Sequence, residues 1–200
     1  MPKVSLLRPG ERHSLPARSG FVLFTMPRGL AHYQQCGCFH FLTFSCYHRR
    51  SHLQTAAARQ LFESALERVR LGYRLVVAGF VVMPEHVHLL LSEPQQGALA
   101  TAIQAFKLSV VRRSTQRPFW QARYYDFNLY SADKVTEKLD SMHRNPVKRG
   151  LVERPEDWLW SSYRHYATGA TGVVEIESQW TAARRGYEFP AGFEVRRVAD

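Results

Sequence analysis

The sequence predicts an α+β domain, because stretches with the two-residue period of strands alternate with stretches that have the spacing of amphipathic helices. The predicted order is strand, helix, strand, strand, helix, strand, followed by one further helix. Residues 38–47 begin this series: Phe39 and Phe41 point to one side, and His40 and Leu42 point to the other. Such alternation is typical of a strand.

The first predicted helix spans residues 55–70, where apolar residues recur at three- and four-residue spacing and Gly72 follows as a stop. Residues 73–83 are apolar and rich in β-branched side chains, which favours a strand. The Pro84-Glu85 step lets the chain turn back into a second strand over residues 86–92. We therefore expect two antiparallel strands joined by a tight turn.

Helical spacing returns over residues 97–114, and residues 121–130 again have the pattern of a strand. A last helix is predicted over residues 132–144, with Ser131 as its N-cap and Asn145-Pro146 at its end. Strands and helices in this order form the split β-α-β unit of a ferredoxin-like sandwich. We therefore expect an antiparallel sheet with its two helices on one face.

Three regions are expected along the 200 residues. Residues 1–28 mix Arg, Ser, Pro and Gly without a sustained period and are interpreted as a loose basic leader. Residues 29–167 contain the predicted elements and form the folded domain. Residues 168–200 are polar and basic and are interpreted as a C-terminal tail, for which the sequence predicts no fold.

The chain is strongly basic, with 27 Lys and Arg against 17 Asp and Glu and a formal net charge of +10. A surplus of this size attracts polyanions, and nucleic acid is the partner it favours. No segment approaches the roughly 20 continuous apolar residues that span a bilayer, and the first residues do not have the pattern of a signal peptide. We therefore expect no membrane partner and a cytoplasmic location.

The pair His86 and His88 is the pattern that most narrows the function. Residues two apart on a strand project from the same face about 7 Å apart, so both imidazoles face one point, as they do when they hold a divalent metal. Two histidines on a half-exposed strand also arise by chance, so the pair alone is weak evidence. We expect Val87 to face the helices and the two histidines to lie on the open face of the sheet.

Four sequence blocks, in order, resemble the single-tyrosine HUH transposases, and in particular the REP-associated tyrosine transposases. They are Met83-Pro84-Glu85-His86-Val87-His88-Leu89-Leu90-Leu91, Phe119-Trp120-Gln121-Ala122-Arg123-Tyr124-Tyr125-Asp126, Asn145-Pro146-Val147-Lys148-Arg149-Gly150-Leu151-Val152 and Trp158-Leu159-Trp160-Ser161-Ser162-Tyr163. The resemblance implies a ferredoxin-like core with a catalytic-type helix. It also implies a transposase that cleaves and rejoins single-stranded or hairpin DNA through a metal-assisted phosphotyrosine.

The resemblance also implies which residues form the site. His86 and His88 match the two metal ligands of the family, and Asn145 matches the third, with Mg²⁺ or Mn²⁺ as the cofactor. The family's tyrosine nucleophile lies four residues before that asparagine, on the same helix face. In this chain that position is Ser141.

Ser141 leaves three alternatives open. The protein is a relative that binds DNA hairpins but does not cleave them, or the tyrosine was replaced deliberately to stop the reaction, or another tyrosine has taken over. Tyr124, Tyr125 and Tyr130 are the nearest in sequence, although aromatic residues on a strand more often serve packing. Besides a DNA-cleaving enzyme and a DNA-binding protein, a phosphoesterase unrelated to DNA could share the His-x-His pattern. The net charge disfavours it, and so does Leu90, because a histidine-triad hydrolase would need a third alternating histidine at that position.

Basic residues near the presumed site are candidates for phosphate contacts, although any one of them is as readily a solvated side chain. They are Lys107, Arg112, Arg113, Arg117, Arg123, Arg144, Lys148 and Arg149. Aromatic residues in the same blocks can stack on unpaired bases, but core packing is favoured for them. These are Trp120, Tyr124, Tyr125, Trp158 and Trp160. Glu85 either acts electrostatically on the histidine pair or serves only the turn, and the turn is favoured. Whether the protein is a monomer or a homodimer stays open.

Overall fold

The computed structural model describes residues 23–25, 31–33 and 38–186. Within these ranges the strands are β1 (Leu23–Thr25), β2 (Ala31–Tyr33), β3 (Phe39–Ser45), β4 (Val77–Val82), β5 (His86–Ser92) and β6 (Tyr125–Leu129). The helices are α1 (Ala56–Tyr73), α2 (Leu99–Arg113), α3 (Ala132–His143), α4 (Asn145–Lys148), α5 (Tyr163–Thr168) and α6 (Gln179–Arg185).

Four strands form one antiparallel sheet in the order β4-β5-β3-β6, so the first and third strands of the predicted unit lie side by side in the centre. With α1 between β3 and β4 and α2 between β5 and β6, this is the connectivity of the ferredoxin-like sandwich. The predicted fold class is confirmed.

The helices α1 and α2 cover one face of the sheet, where the main core lies. The ring of Phe44 on β3 is 6.2 Å from that of Phe106 on α2, and Phe106 in turn packs 4.9 Å from Phe62 on α1. Val87 and Leu89 are fully buried between these layers. Because β5 alternates, its two histidines point to the other face.

Part of that other face, on the side of β4, is covered by α3, which corrects the expectation of an open face. Leu139 and Met142 of α3 pack on Gly79 of β4, where there is no side chain to hold the helix away. The apolar stripe of α3 needs an apolar surface to cover, and this sheet face provides one. As a result His86 is only 5% exposed.

The observed bounds of strands and helices agree closely with the predicted ones where the sequence has a strong local pattern. The strand β5 has the predicted bounds, and the Ser131 hydroxyl accepts a hydrogen bond from Lys134 N as the predicted N-cap of α3. The strand predicted over 121–130 is shorter, since β6 begins only at Tyr125. Before it, Gln121 N donates to Ser45 O at the end of β3, and the Lys107 ammonium donates to the carbonyls of Gln121 and Ala122.

The two ends of the chain contain more structure than the sequence predicted. In the predicted leader, Leu23–Thr25 forms a strand that pairs with β2, while residues 1–22 lie outside the described residues. In the predicted tail, Val174 and Ile176 are buried in the core and α6 follows, while residues 187–200 lie outside the described part. None of the described helices has both the length and the apolar composition needed to cross a membrane.

Candidate metal and nucleic-acid site

The two histidines of β5 have their rings side by side, with centroids 4.8 Å apart. In each ring Nδ1 already has an oxygen partner: Glu85 Oε1 lies 3.2 Å from His86 Nδ1, and Thr43 Oγ1 lies 2.8 Å from His88 Nδ1. When Nδ1–H donates to these oxygens, the lone pair of Nε2 remains for a ligand. Histidines that bind metals are held in this way by an oxygen acceptor behind the ring.

The side chain of Asn145 completes this arrangement from the opposite side. Its amide lies 3.2 Å from His86 Nε2, and rotation of the amide exchanges its nitrogen for its oxygen at the same place. Asn145 begins α4 and is separated from the end of α3 by Arg144 alone, so the packing of α3 on the sheet positions it. His86, His88 and Asn145, which were predicted as one set of ligands, share this face.

The donor set fits a divalent ion that takes both nitrogen and oxygen ligands. Among the described residues, no three side chains of His, Cys, Asp or Glu converge on one point. The Asn145 amide, which faces His86 Nε2, could supply an oxygen ligand beside the two imidazoles. Amide oxygens and water are ligands that suit Mg²⁺ and Mn²⁺, and the imidazoles would supply the nitrogen ligands.

Burial keeps both imidazoles neutral. It lowers the pKa of His86 below the ordinary value, and the carboxylate of Glu85 opposes this only in part. For His88, burial, the neighbouring His86 and the ammonium of Lys138 together lower the pKa to about 3. Because a metal binds the unprotonated imidazole, both rings are in the binding form at neutral pH.

Glu85 contributes more than a turn to this site, and its contacts support the electrostatic alternative over the favoured turn. It is buried, and its Oε1 accepts from the Arg149 guanidinium at 2.9 Å as well as facing His86. A second guanidinium, that of Arg49, lies 3.9 Å from the same oxygen. Glu85 therefore links the histidine pair to two basic side chains at its rim.

Ser141 lies on the helix face that carries the other site residues. Lys138 is three residues before it and Asn145 four residues after it, a spacing that puts all three on one side of a helix. Lys138 lies 5.5 Å from the Phe41 ring that stacks on His88, and Asn145 touches His86, so this side faces the histidine pair. Ser141 itself is exposed.

The structure divides the predicted phosphate-contacting residues into separate groups. Arg144, Lys148 and Arg149 follow α3 close to Asn145 and are exposed. Arg112 and Arg113 are exposed in the last turn of α2, and Arg113 lines a cavity of about 660 Å³ with Arg50. Arg117 and Arg123 are exposed in the segment between α2 and β6. Lys107 differs from the rest, because its ammonium is held by backbone carbonyls.

Among the predicted aromatic candidates, Trp120 and Trp158 belong to the core at 8% and 6% exposure. Tyr124 is half-buried against Phe44, and Trp160 is half-buried against the Arg59 guanidinium. Tyr125 is different, because 47% of it is exposed.

Sequence reasoning missed Thr43 and Lys138 as site residues. Thr43 is paired directly with His88 across two strands, a relationship that depends on the register between them. Lys138 carried one usable signal, its position three residues before Ser141 on the same helix face. The sequence does not say which sheet face α3 covers, so this position alone does not place Lys138 near the histidines.

A ferredoxin-like sheet with a His-x-His pair on a central strand, and a helix amide facing that pair, defines a domain of the HUH class. The chain belongs to the family described as "Transposase IS200 like", whose model matches residues 36–138, just over half of the chain. The match confirms the resemblance predicted from the four sequence blocks. It ends before Ser141 and Asn145, so it does not bear on those two positions.

Two relatives illustrate the family. Over 138 residues the chain is 25% identical to the REP-associated tyrosine transposase of Escherichia coli (strain K12), which covers 68% of this chain and 82% of the relative. The fold is also similar to a solved structure described as a REP-associated tyrosine transposase bound to a REP hairpin. That similarity has a TM-score of 0.60 at 22% identity and covers 82% of this chain and 94% of the other.

Proposed function

We propose that this protein binds DNA hairpins together with a divalent ion, Mg²⁺ or Mn²⁺, held by His86, His88 and Asn145. The observation that carries the proposal is the geometry of the histidine pair, in which Nδ1 of each ring meets an oxygen and Nε2 of His86 faces the Asn145 amide. The solved relative bound to a REP hairpin supports hairpin DNA as the partner.

The residues of this chain have separate tasks in the proposal. His86 and His88 bind as neutral imidazoles, Asn145 supplies the amide oxygen, and Arg149 contacts phosphate beside them. When bound, the ion neutralises charge on a phosphate and makes its phosphorus easier to attack. Thr43 and Glu85 orient the imidazoles from behind.

We further propose that the chain as given binds DNA without cutting it at position 141. A tyrosine hydroxyl lies on the order of 5 Å further from the backbone than a serine hydroxyl, whereas catalytic groups must be placed within roughly 0.5 Å. In the reaction of the family, a phenol oxygen bonds to phosphorus, the bond from phosphorus to the 3′ oxygen breaks, and that oxygen leaves as a hydroxyl. Ser141 cannot reach the same point.

A second candidate function, cleavage by another tyrosine, is favoured by one observation. Tyr125 is exposed on the sheet face that carries the histidines, in the same cross-strand row as His88. Its phenol is therefore the candidate replacement nucleophile in this chain. Tyr124 is half-buried beside Phe44 on the opposite face, and burial raises its pKa to about 12, which disfavours the phenolate.

Binding and cleavage are tested on the same labelled DNA. The protein should prefer a hairpin to a blunt duplex of the same sequence, and its affinity should fall steeply as salt rises, because phosphate contacts release counterions. Equal affinity for the duplex, or no dependence on salt, would contradict hairpin binding.

Cleavage is tested on the same DNA. With Mn²⁺ present, a denaturing gel should show no covalent adduct. An adduct that disappears in Tyr125→Phe would establish the second candidate. Sedimentation would separate monomer from homodimer.

A further inference from the structure

Two neighbouring rows of residues cross the sheet on the face that carries the histidines. One row runs Val81, His88, Thr43, Tyr125 over β4, β5, β3 and β6. The next row runs Gly79, Leu90, Phe41, Phe127 over the same strands. Since neighbouring strands are about 4.8 Å apart, the backbone of Tyr125 lies about 10 Å from that of His88.

Tyr125 and Phe127 form an exposed aromatic pair at the β6 end of these rows. They are 47% and 43% exposed, whereas Phe41 beside them is 9% exposed. Their rings are nearly parallel, with an interplanar angle of 4° and centroids 6.4 Å apart. Two adjacent exposed aromatic rings mark a surface that gains from being covered.

The charge beside the pair indicates what covers it. The Lys138 ammonium lies 5.7 Å from the Phe127 ring centroid and 5.5 Å from that of Phe41. Phe41 in turn stacks on His88 with ring centroids 5.3 Å apart, so Lys138 lies beside the path from the aromatic pair to the histidines. Flat apolar rings next to a cation match a nucleotide strand, in which bases stack and phosphates pair with positive charge.

The strand has to be unpaired. Within a duplex each base is stacked between its neighbours, so only its edges are available, whereas an unpaired base can turn a whole face toward an aromatic ring. A strand that lies on Tyr125 and Phe127 and continues past Lys138 reaches His86 and His88 within about two strand spacings.

We propose that Tyr125 and Phe127 form a stacking platform for unpaired nucleotides next to a DNA hairpin, with Lys138 contacting the phosphate between the platform and the histidine pair. This inference rests on the proposed binding of hairpin DNA and adds the surface that takes the unpaired part of the strand.

The test compares a hairpin carrying an unpaired tail with the same hairpin cut flush, using fluorescence anisotropy. Tyr125→Ala and Phe127→Ala should each weaken binding of the tailed hairpin by about 5- to 100-fold, the effect of losing one stacked base. The flush hairpin should bind as before. Tyr125→Phe keeps the ring and should keep the affinity. Tyr130→Ala removes another exposed tyrosine, 64% exposed and just beyond β6, and should change neither affinity.

Several outcomes would overturn the platform. The platform is wrong if the unpaired tail adds no affinity for the unaltered protein. It is also wrong if Tyr125→Ala weakens binding of both hairpins equally, or if Tyr130→Ala weakens binding as much as Tyr125→Ala does. A dimer that dissociates in Tyr125→Ala would assign the surface to a second copy instead. If the protein binds neither hairpin but binds a single-stranded oligonucleotide through Tyr125, the hairpin proposal fails and the platform stands. If it binds no DNA at all, both fail.

Discussion

Leu139 packs directly on the backbone of Gly79, and this contact places α3 over the histidine pair. A Cβ atom at position 79 would overlap Leu139 Cδ2 and lie 3.0 Å from Met142 Cε. Since Ser141 and Asn145 follow Leu139 on the same stretch of chain, the position of both depends on the absence of a side chain at Gly79.

We predict that Gly79→Ala lowers both stability and metal affinity. Overpacking of this kind costs about 1–3 kcal/mol, and a displaced α3 moves Asn145 away from His86. Thermal unfolding measures the first effect, and calorimetric titration with Mn²⁺ measures the second. Gly72→Ala is the matched control, because a Cβ there meets nothing within 4 Å and the residue lies in α1. The account of α3 is wrong if the two variants behave alike.

We predict that the oxygens behind the imidazoles tune metal binding. Glu85→Gln and Thr43→Val should each weaken Mn²⁺ binding by about 10- to 100-fold, as loss of an oxygen partner behind a ligating histidine does. The double variant His86→Ala and His88→Ala should abolish binding. Glu153→Gln removes an exposed carboxylate elsewhere and should have no effect. Unchanged affinity in the double variant would remove the metal site itself.

We predict that Ser141→Tyr restores covalent cleavage. The new phenol projects from the helix face shared with Asn145 and reaches toward the histidine pair, so a 5′-phosphotyrosine adduct should form with Mn²⁺ on a hairpin substrate. Ser141→Phe is the matched control, because it adds the same ring without the hydroxyl and should stay inactive. If Ser141→Tyr forms no adduct on any hairpin that the protein binds, the defect extends beyond this side chain.

We predict that Glu63 destabilises the fold at neutral and alkaline pH. Glu63 lines a cavity of about 190 Å³, and burial raises its pKa from 4.5 to about 7. Between these values the folded state holds a proton that the unfolded state has released, so stability falls as pH rises through this range. Glu63→Gln should remove this fall and raise the free energy of unfolding at pH 8 by about 1–3 kcal/mol.

Chemical denaturation of both proteins at pH 4 and pH 8 measures the difference. At pH 4 the two should be nearly equal, because the glutamate is protonated in both states. A gap of the same size at both pH values would show that the effect of Gln comes from packing rather than from the proton.

The sequence alone determined where the main helices and strands lie and which residues share a face of each one. A strand alternates every two residues whatever packs on it, so His86 and His88 share one face of β5 for a purely local reason. The cap at Ser131 is equally local, since its hydroxyl bonds to a backbone amide three residues away. The spacing of Ser141 and Asn145 follows from helical periodicity in the same way.

Only the tertiary structure decided which surfaces meet. The period of α3 predicts that one side is apolar, but it does not say which face of the sheet that side covers, and part of the open face expected around the histidines is covered by it. The register between β3 and β5 places Thr43 against His88. The side chain of Glu85 turns back toward His86, and Tyr125 is exposed at the edge of the sheet. Each of these depends on contacts between segments far apart in the chain, and local periodicity carries no information about such contacts.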